Sequence, residues 1–248
     1  MNGLSADMDA LQEVADRHQH HTHGKILLIG DVARACGGGY KGTKIGKKGD
    51  MNIFSFHSMK LMTTLGEGGM ITTDDPDIAK KMREIRMWGH GVDEWGGNYK
   101  MTKIQAAVGI VQLQRLDEMI DARRVRALQR TELLQDVPEL TIPTEPPAYK
   151  HTYYLYTCVL PEAWAGEKRD RYMTLLMEDY GVGSGVLNRP TYQDRPFLKK
   201  HLNGQSCPRS EQLGGRLFCP SLHPLMTEED NEYIAAAMTE CIERIKTG

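Results

Sequence analysis

The chain has 248 residues, with 31 lysines and arginines against 33 aspartates and glutamates, and a formal net charge of -2. A nearly neutral chain lacks the basic surface by which proteins bind nucleic acid or anionic membranes, so a small molecule or a second copy of the chain is the expected partner. This length suffices for one large domain, or for a main domain and a smaller one.

The cysteines and the apolar runs predict the cellular setting. Five cysteines, an odd number without a CxxC pair, predict neither a disulfide framework nor a zinc site. Reduced, mostly buried thiols are typical of a cytosolic protein. No apolar run approaches the ~20 residues that span a bilayer, and the N-terminus does not resemble a signal peptide. We therefore expect a soluble, cytoplasmic protein. The histidines between His18 and His23 are expected to form a solvated loop rather than a metal site.

The first half of the chain alternates predicted helices and strands. Helical spacing of apolar residues predicts the helices, and short uninterrupted apolar runs are typical of strands buried on both faces of a parallel sheet. The predicted order is a helix over 7–17, strands over 26–29, 52–56 and 69–73, a helix over 77–87 and a long helix from Thr102 to about Leu134.

A proline-rich stretch from Pro143 to Pro147 indicates a break in the chain. We predict a large domain over 1–136 and a small α+β domain over 137–248. The second part is predicted to contain a strand over 153–160, a helix over 168–179, a strand over 182–187, an irregular loop, and a closing helix with a capping-box-like start at Thr227.

Two of the predicted strands end in charged or polar side chains. Asp31 closes the first strand, and the segment from Ser55 to Lys60 follows the second. Functional groups gather at the carboxyl edge of open α/β sheets. An aspartate and a lysine at neighbouring strand ends also form ordinary ion pairs, so the residue types alone leave both interpretations open.

Several ordered motifs surround these residues. They are D-V-A-R from Asp31, G-G-Y-K-G from Gly38, S-F-H-S-M-K from Ser55, G-E-G-G from Gly66 and G-N-Y-K-M from Gly97. In this order they resemble the DegT/DnrJ/StrS sugar aminotransferases, which are fold type I enzymes that depend on pyridoxal 5'-phosphate (PLP). The resemblance extends over essentially the whole chain.

The resemblance implies a fold class and an activity. The fold would be α/β, with part of the PLP-binding large domain of fold type I, a mostly parallel sheet with helices, followed by a small α+β domain. The activity would be transamination of a keto-sugar, nucleotide-linked, or of a keto-cyclitol, with glutamate or glutamine as donor. The alternative is a truncated, catalytically silent member that dimerises or binds a partner. A PLP-dependent dehydratase is less favoured, because some of those relatives carry histidine where this chain has Lys60.

The resemblance also assigns roles to single residues. Lys60 matches the Schiff-base lysine, which would then move the substrate proton. Asp31 matches the carboxylate that keeps the pyridine nitrogen of PLP protonated, and Ser55 matches a phosphate-binding hydroxyl. Asn98 matches an asparagine that reaches the cofactor phosphate of the neighbouring subunit, which implies a two-fold homodimer with shared active sites.

Two positions near the cofactor need separate interpretation. Arg34 stands where the family usually has glutamine or histidine beside the phenolic oxygen of PLP. Its guanidinium could donate to that oxygen, but its fixed charge would alter the electronics of the cofactor. His57 is expected either to contact cofactor or substrate or to pack as an aromatic ring.

The chain departs from the family in the substrate region and at its start. Leu187 and Asn188 replace a histidine-tyrosine pair, which leaves the sugar open. Arg189, Tyr192 and Arg195 belong either to a substrate-contacting loop or to a simple surface loop. The first residues match an internal family segment, so strands, a phosphate-binding helix N-terminus and a stacking aromatic are expected to be missing. We then expect an uncovered apolar sheet face.

Overall fold

The computed structural model describes residues 2–187 and 189–247. The chain forms two compact units, the first over residues 1–121 and 145–154 and the second over residues 122–144 and 155–248. These bounds differ from the predicted division after residue 136, and that division into domains stays a prediction.

The first unit is built around a small mixed sheet. Its central strand, β6 (Met51–Ser55), is parallel to β3 (Ile29–Asp31) and antiparallel to β7 (Gly69–Thr72). A second sheet has the order β5 (Thr43–Lys44), β4 (Gly39–Tyr40) and β8 (Tyr149–Lys150). The strands β1 (Gln19–His20) and β2 (Gly24–Lys25) form a hairpin. The elements are α1 (Met8–Arg17), β1 (Gln19–His20), β2 (Gly24–Lys25), β3 (Ile29–Asp31), β4 (Gly39–Tyr40), β5 (Thr43–Lys44), β6 (Met51–Ser55), β7 (Gly69–Thr72), α2 (Pro76–Arg86), α3 (Lys103–Gln114), the start of α4 (Leu116–Leu134) and β8 (Tyr149–Lys150).

The two faces of the β3-β6-β7 sheet differ in burial. On one face, Phe54 and Phe56 belong to a core cluster with buried residues such as Ile120. On the other face, the side chains of Ile29, Ile53 and Ile71 are 57%, 41% and 46% exposed. The expected burial of the first of these strands on both faces is therefore wrong, whereas the expected uncovered apolar face is confirmed.

The predicted long helix is divided into α3 and α4 at Arg115. Thr102 caps α3 in a reciprocal capping box with Gln105, so the predicted start is confirmed. None of the residues of α3 is buried within the chain, although its apolar residues recur at helical spacing. Ile104 and Ile110 are 70% and 61% exposed.

The second unit combines packed helices with an antiparallel sheet of order β10 (Ser184–Gly185), β11 (Leu217–Pro220) and β9 (Cys158–Val159). Its core contains fully buried residues such as Tyr172, Phe218 and Met238. The elements are the rest of α4, β9 (Cys158–Val159), a 3-10 turn (Glu162–Trp164), α5 (Glu167–Tyr180), β10 (Ser184–Gly185), α6 (Thr191–Asp194), α7 (Pro196–Lys199), α8 (Pro208–Gly214), β11 (Leu217–Pro220) and α9 (Glu228–Thr247).

Predictions for this second unit were right for α5 and α9 and too long for its strands. The segment predicted as an irregular loop is instead structured, because it contains α6, α7, α8 and β11. The strands predicted over 153–160 and 182–187 reduce to Cys158–Val159 and Ser184–Gly185. The closing helix starts as predicted, because the backbone N–H of Thr227 donates to Asp230 and the N–H of Asp230 donates to the Thr227 hydroxyl. These two hydrogen bonds provide acceptors for backbone N–H groups at the start of α9, which have no partner within the helix.

Candidate functional site

Asp31 and Ser55 lie at the same edge of the β3-β6-β7 sheet. Parallel pairing puts Asp31 opposite Ile53, and Ser55 follows two residues later on the same face. The N–H of Ala33 donates to Asp31 Oδ1 at 3.1 Å, and the N–H of His57 approaches Ser55 Oγ at 3.4 Å. The strand register thus brings together two of the predicted cofactor-binding side chains.

Lys60 lies on the loop that joins β6 to β7. The loop is closed by backbone hydrogen bonds from Phe56 to Gly68 at 2.8 Å and from Ser58 to Gly66 at 2.7 Å. A β-carbon on Gly68 would lie 2.1 Å from the Thr64 hydroxyl oxygen, so only glycine fits this close approach. The G-E-G-G motif therefore shapes the loop that carries the lysine.

The Lys60 side chain is half-buried. Its Nζ lies 5.2 Å from the ring centroid of Tyr154. The guanidinium carbon of Arg34 lies 5.5 Å from the same centroid. Sequence reasoning singled out both cations but missed Tyr154, which is far along the chain and stands in no motif that we recognised.

His57 is fixed within the same loop. Its Nδ1 accepts a hydrogen bond from the N–H of Met59 at 3.1 Å, and its Nε2 lies 3.6 Å from a carboxylate oxygen of Glu67. The ring thus holds the turn before Lys60, and a direct contact with cofactor or substrate stays a prediction.

Asn98 is exposed, on the segment that follows the glycine- and tryptophan-rich stretch. It forms an isolated β-bridge with Met87, and the N–H of Gly97 donates to Ile85. The segment is anchored to α2, with the Asn98 side chain directed to the exterior of the first unit. Its predicted role toward a second subunit stays a prediction.

The candidate substrate loop lies in the second unit. The Tyr192 hydroxyl donates to Glu211 at 2.5 Å and accepts from the N–H of Cys207 at 2.9 Å. The carboxylate of Glu211 raises the pKa of Tyr192. This hydroxyl is thus part of the loop's own structure. Arg189 and Arg195 are exposed, and the predicted departure at Asn188 lies outside the described residues.

The G-G-Y-K-G motif has a structural use that sequence reasoning missed. The Tyr40 hydroxyl donates to Asp7 at 2.6 Å, while Lys41 and Lys48 bind the Asp9 carboxylate at 2.8 and 2.9 Å. These bonds tie the start of α1 to the loops around β4. Hydrogen bonds from Lys41 and then Lys48 lower the pKa of Asp9 to about 2.

We expect Asp9 to make the stability of the chain depend on pH. An unfolded aspartate titrates near ~3.9, above the folded value of about 2. The stabilisation is therefore fully present above pH ~4 and is lost as the pH falls through the folded value. In urea titrations, the advantage of the wild type over Asp9→Asn should shrink from pH 6 to pH 2.

Asp16 provides the matched control for this experiment. It lies on the same helix and accepts a hydrogen bond from Gln12 rather than from a lysine. Asp16→Asn should leave the pH dependence of the wild type in place. A difference between wild type and Asp9→Asn that stays constant over the pH range would contradict the assignment.

No metal cluster or membrane span is present in the parts of the chain that the structure covers, residues 2–187 and 189–247. There, no three or more histidine, cysteine, aspartate and glutamate side chains are arranged to hold a metal ion. No helix there is long and apolar enough to cross a membrane. The His20 imidazole stacks on those of His21 and His23, with centroids 4.4 and 4.8 Å apart.

Known proteins resemble this chain over nearly all its length. GDP-perosamine synthase of Caulobacter vibrioides is 36% identical over 249 residues, which cover 97% of this chain and 64% of that protein. An aminotransferase from Psychrobacter cryohalolentis superimposes with a TM-score of 0.86 at 26% identity, over 99% of this chain and 68% of the other. DesV from S. venezuelae gives a TM-score of 0.85 at 26% identity, over 97% and 62%.

These matches confirm the predicted α/β fold of fold type I aminotransferases. The chain spans only 64% of the length of the curated relative. The model of the DegT/DnrJ/EryC1/StrS aminotransferase family, whose aminotransferases use PLP, matches residues 1–239. The chain therefore belongs to the DegT/DnrJ/EryC1/StrS aminotransferase family.

Proposed function

We propose that this chain forms part of a PLP-dependent aminotransferase acting on the keto group of a nucleotide-linked sugar, with glutamate or glutamine as amino donor. The observation that carries the proposal is the common edge of β3 and β6, where Asp31 and Ser55 share a sheet face and Lys60 lies on the loop that follows. The similarity to GDP-perosamine synthase supports the choice of a nucleotide sugar.

The side chains at this edge fit PLP by their chemistry. The cofactor has a ring nitrogen that binds a carboxylate, a phosphate that accepts hydrogen bonds, and an aldehyde that reacts with an amine. Asp31, Ser55 and Lys60 supply the three complementary groups. Ile53 and Ile71 make the sheet face beside them apolar and exposed, a surface on which a flat aromatic ring can lie.

When bound, PLP supplies an electron sink for the carbanion that forms when the substrate loses a proton. Lys60 would supply the primary amine that holds the cofactor and, when free, would carry that proton on Nζ. Asp31 would accept a hydrogen bond from the protonated ring nitrogen, and Ser55 would donate one to the phosphate. Arg34 contributes a permanent positive charge and donors that match an oxygen anion.

We further propose a homodimer in which Asn98 reaches the site of the other subunit. The exposed position of Asn98 supports this, as do the exposed apolar residues of α3, Ile104 and Ile110. The free thiols, four of them buried, support a reducing cytoplasmic setting. The same exposed surface also favours the second candidate, a catalytically silent chain that dimerises or binds a partner.

Borohydride reduction in the presence of PLP separates the two candidates. An aminotransferase site should trap PLP covalently at Lys60, which peptide mapping identifies. The Lys80 side chain, 75% exposed, is the internal reference for nonspecific labelling. Label spread over surface lysines, with none preferred, would contradict the enzymatic proposal and favour the silent one.

A further inference from the structure

The ring of Tyr154 lies close to two cationic side chains, those of Lys60 and Arg34. Lys60 Nζ and the Arg34 guanidinium carbon lie 5.2 and 5.5 Å from its centroid. A cation within about 6 Å of an aromatic centroid is attracted by the negative face of the ring. Both cationic side chains that sequence reasoning assigned to the site therefore meet on one residue.

The backbone around Tyr154 is built to hold that ring in place. The preceding residue, Tyr153, is 1% exposed and has a φ of +47°, which is unfavourable for a bulky side chain. The His151 ring stacks on Tyr153 at 4.1 Å, and its Nδ1 accepts from the Tyr153 N–H at 2.7 Å. The N–H of Thr152 donates to Gly3 at 3.0 Å.

Strained backbone conformations of this kind persist only where several surrounding interactions hold them in place, and they cluster at functional sites. Tyr154 itself packs against the core cluster of the first unit. The position of the ring is thus fixed by its packing on the core cluster and by the hydrogen-bonded backbone of the segment 151–154. Its contacts with Lys60 and Arg34 are electrostatic.

We propose that Tyr154 is a positioning residue for Lys60. Its ring holds the ammonium of Lys60 whenever that amine is free and protonated, including after the proton has moved from the substrate carbon to Nζ. Arg34 lies against the same ring, and the like charge of its guanidinium opposes retention of the Lys60 ammonium, so the amine is not held too tightly to leave. The inference rests on the proposed role of Lys60.

Competitive labelling of the chain without PLP tests the contact directly. A trace of acetic anhydride modifies free amines, and mass spectrometry gives the labelling of Lys60 relative to exposed Lys80. Tyr154→Leu should raise this ratio about 3- to 5-fold, because the ring no longer holds the ammonium. Tyr154→Phe retains the aromatic face and should keep the wild-type ratio.

Tyr149→Leu is the matched control. Tyr149 is another half-buried tyrosine of the first unit, and its ring packs on Tyr40 with centroids 5.0 Å apart. The Lys60 ratio should stay at its wild-type value in this variant. If Tyr154→Leu does not fold by circular dichroism, Tyr154→Met replaces it, because methionine fills the space without a ring.

The outcomes separate this inference from the proposed function. Equal Lys60 labelling in wild type and Tyr154→Leu would overturn it, and so would a Tyr154→Phe variant that behaves like Tyr154→Leu. A wild-type chain that fails to trap PLP at Lys60 would refute the proposed function alone, since the labelling ratio without PLP still decides whether Tyr154 positions the lysine.

Discussion

Lys60→Ala is expected to abolish covalent trapping of PLP and the absorbance of its Schiff base. The physical reason is that only a primary amine forms this link, and the alanine side chain has no amine. Because the same amine carries the substrate proton, transamination should fall by at least about 100-fold. Spectra with added PLP, before and after borohydride reduction, measure the first effect.

Two further variants make this experiment specific. Lys60→Arg keeps the positive charge beside Tyr154 but cannot form the Schiff base, so it should behave like Lys60→Ala in trapping. Lys100 lies over the Trp88 ring at 4.1 Å, away from the loop of Lys60 in sequence, and Lys100→Ala should trap PLP normally. Full trapping in Lys60→Ala would show that another lysine carries the cofactor.

Arg130→Ala is expected to cost the second unit about 3 kcal/mol of folding stability. The Arg130 side chain is fully buried. Its Nε donates to the Asn231 side chain at 2.8 Å, and NH1 donates to the Ser221 carbonyl at 2.9 Å. NH2 lies 3.3 Å from the Met226 sulfur, and the Tyr156 ring lies 5.3 Å away. Alanine would leave a cavity and buried acceptors without donors.

Burial also affects the pKa of the Arg130 guanidinium. Desolvation lowers the pKa of Arg130 to about 10, so the guanidinium remains charged at neutral pH and its hydrogen bonds are charge-assisted. Arg130→Lys keeps one charge but not the planar set of donors, and should fall between wild type and alanine.

Urea unfolding followed by circular dichroism measures these differences. Arg171 is exposed on α5, and Arg171→Ala should change stability by less than about 0.5 kcal/mol. If Arg130→Ala costs no more than this control, then the hydrogen bonds from Arg130 to Ser221 and Asn231 do not stabilise the unit.

Helices were the part of the fold that the sequence predicted well. Asp75 and Thr102 begin α2 and α3 as N-caps, and Thr227 begins α9, in each case by bonds that span at most three residues. Such signals are local, so they act in the same way in any tertiary context.

Strands and burial were predicted less well because both depend on distant segments. The strand predicted over 26–29 begins at Ile29, since the position of a strand is decided by its pairing with Met51–Ser55. The apolar residues of α3 recur at the predicted helical spacing, yet none of them is buried within the chain. Periodicity tells that one side of a helix is apolar, and it does not tell what covers that side.

For the candidate site, the sequence by itself determined the residue types and the family. The motifs around Asp31, Ser55 and Lys60 were sufficient, because they are short and keep a fixed order. The tertiary structure decided the rest. Strand register put Asp31 and Ser55 on one face, and a strained segment far along the chain brought Tyr154 to Lys60. Such contacts depend on long-range packing, which no local pattern encodes.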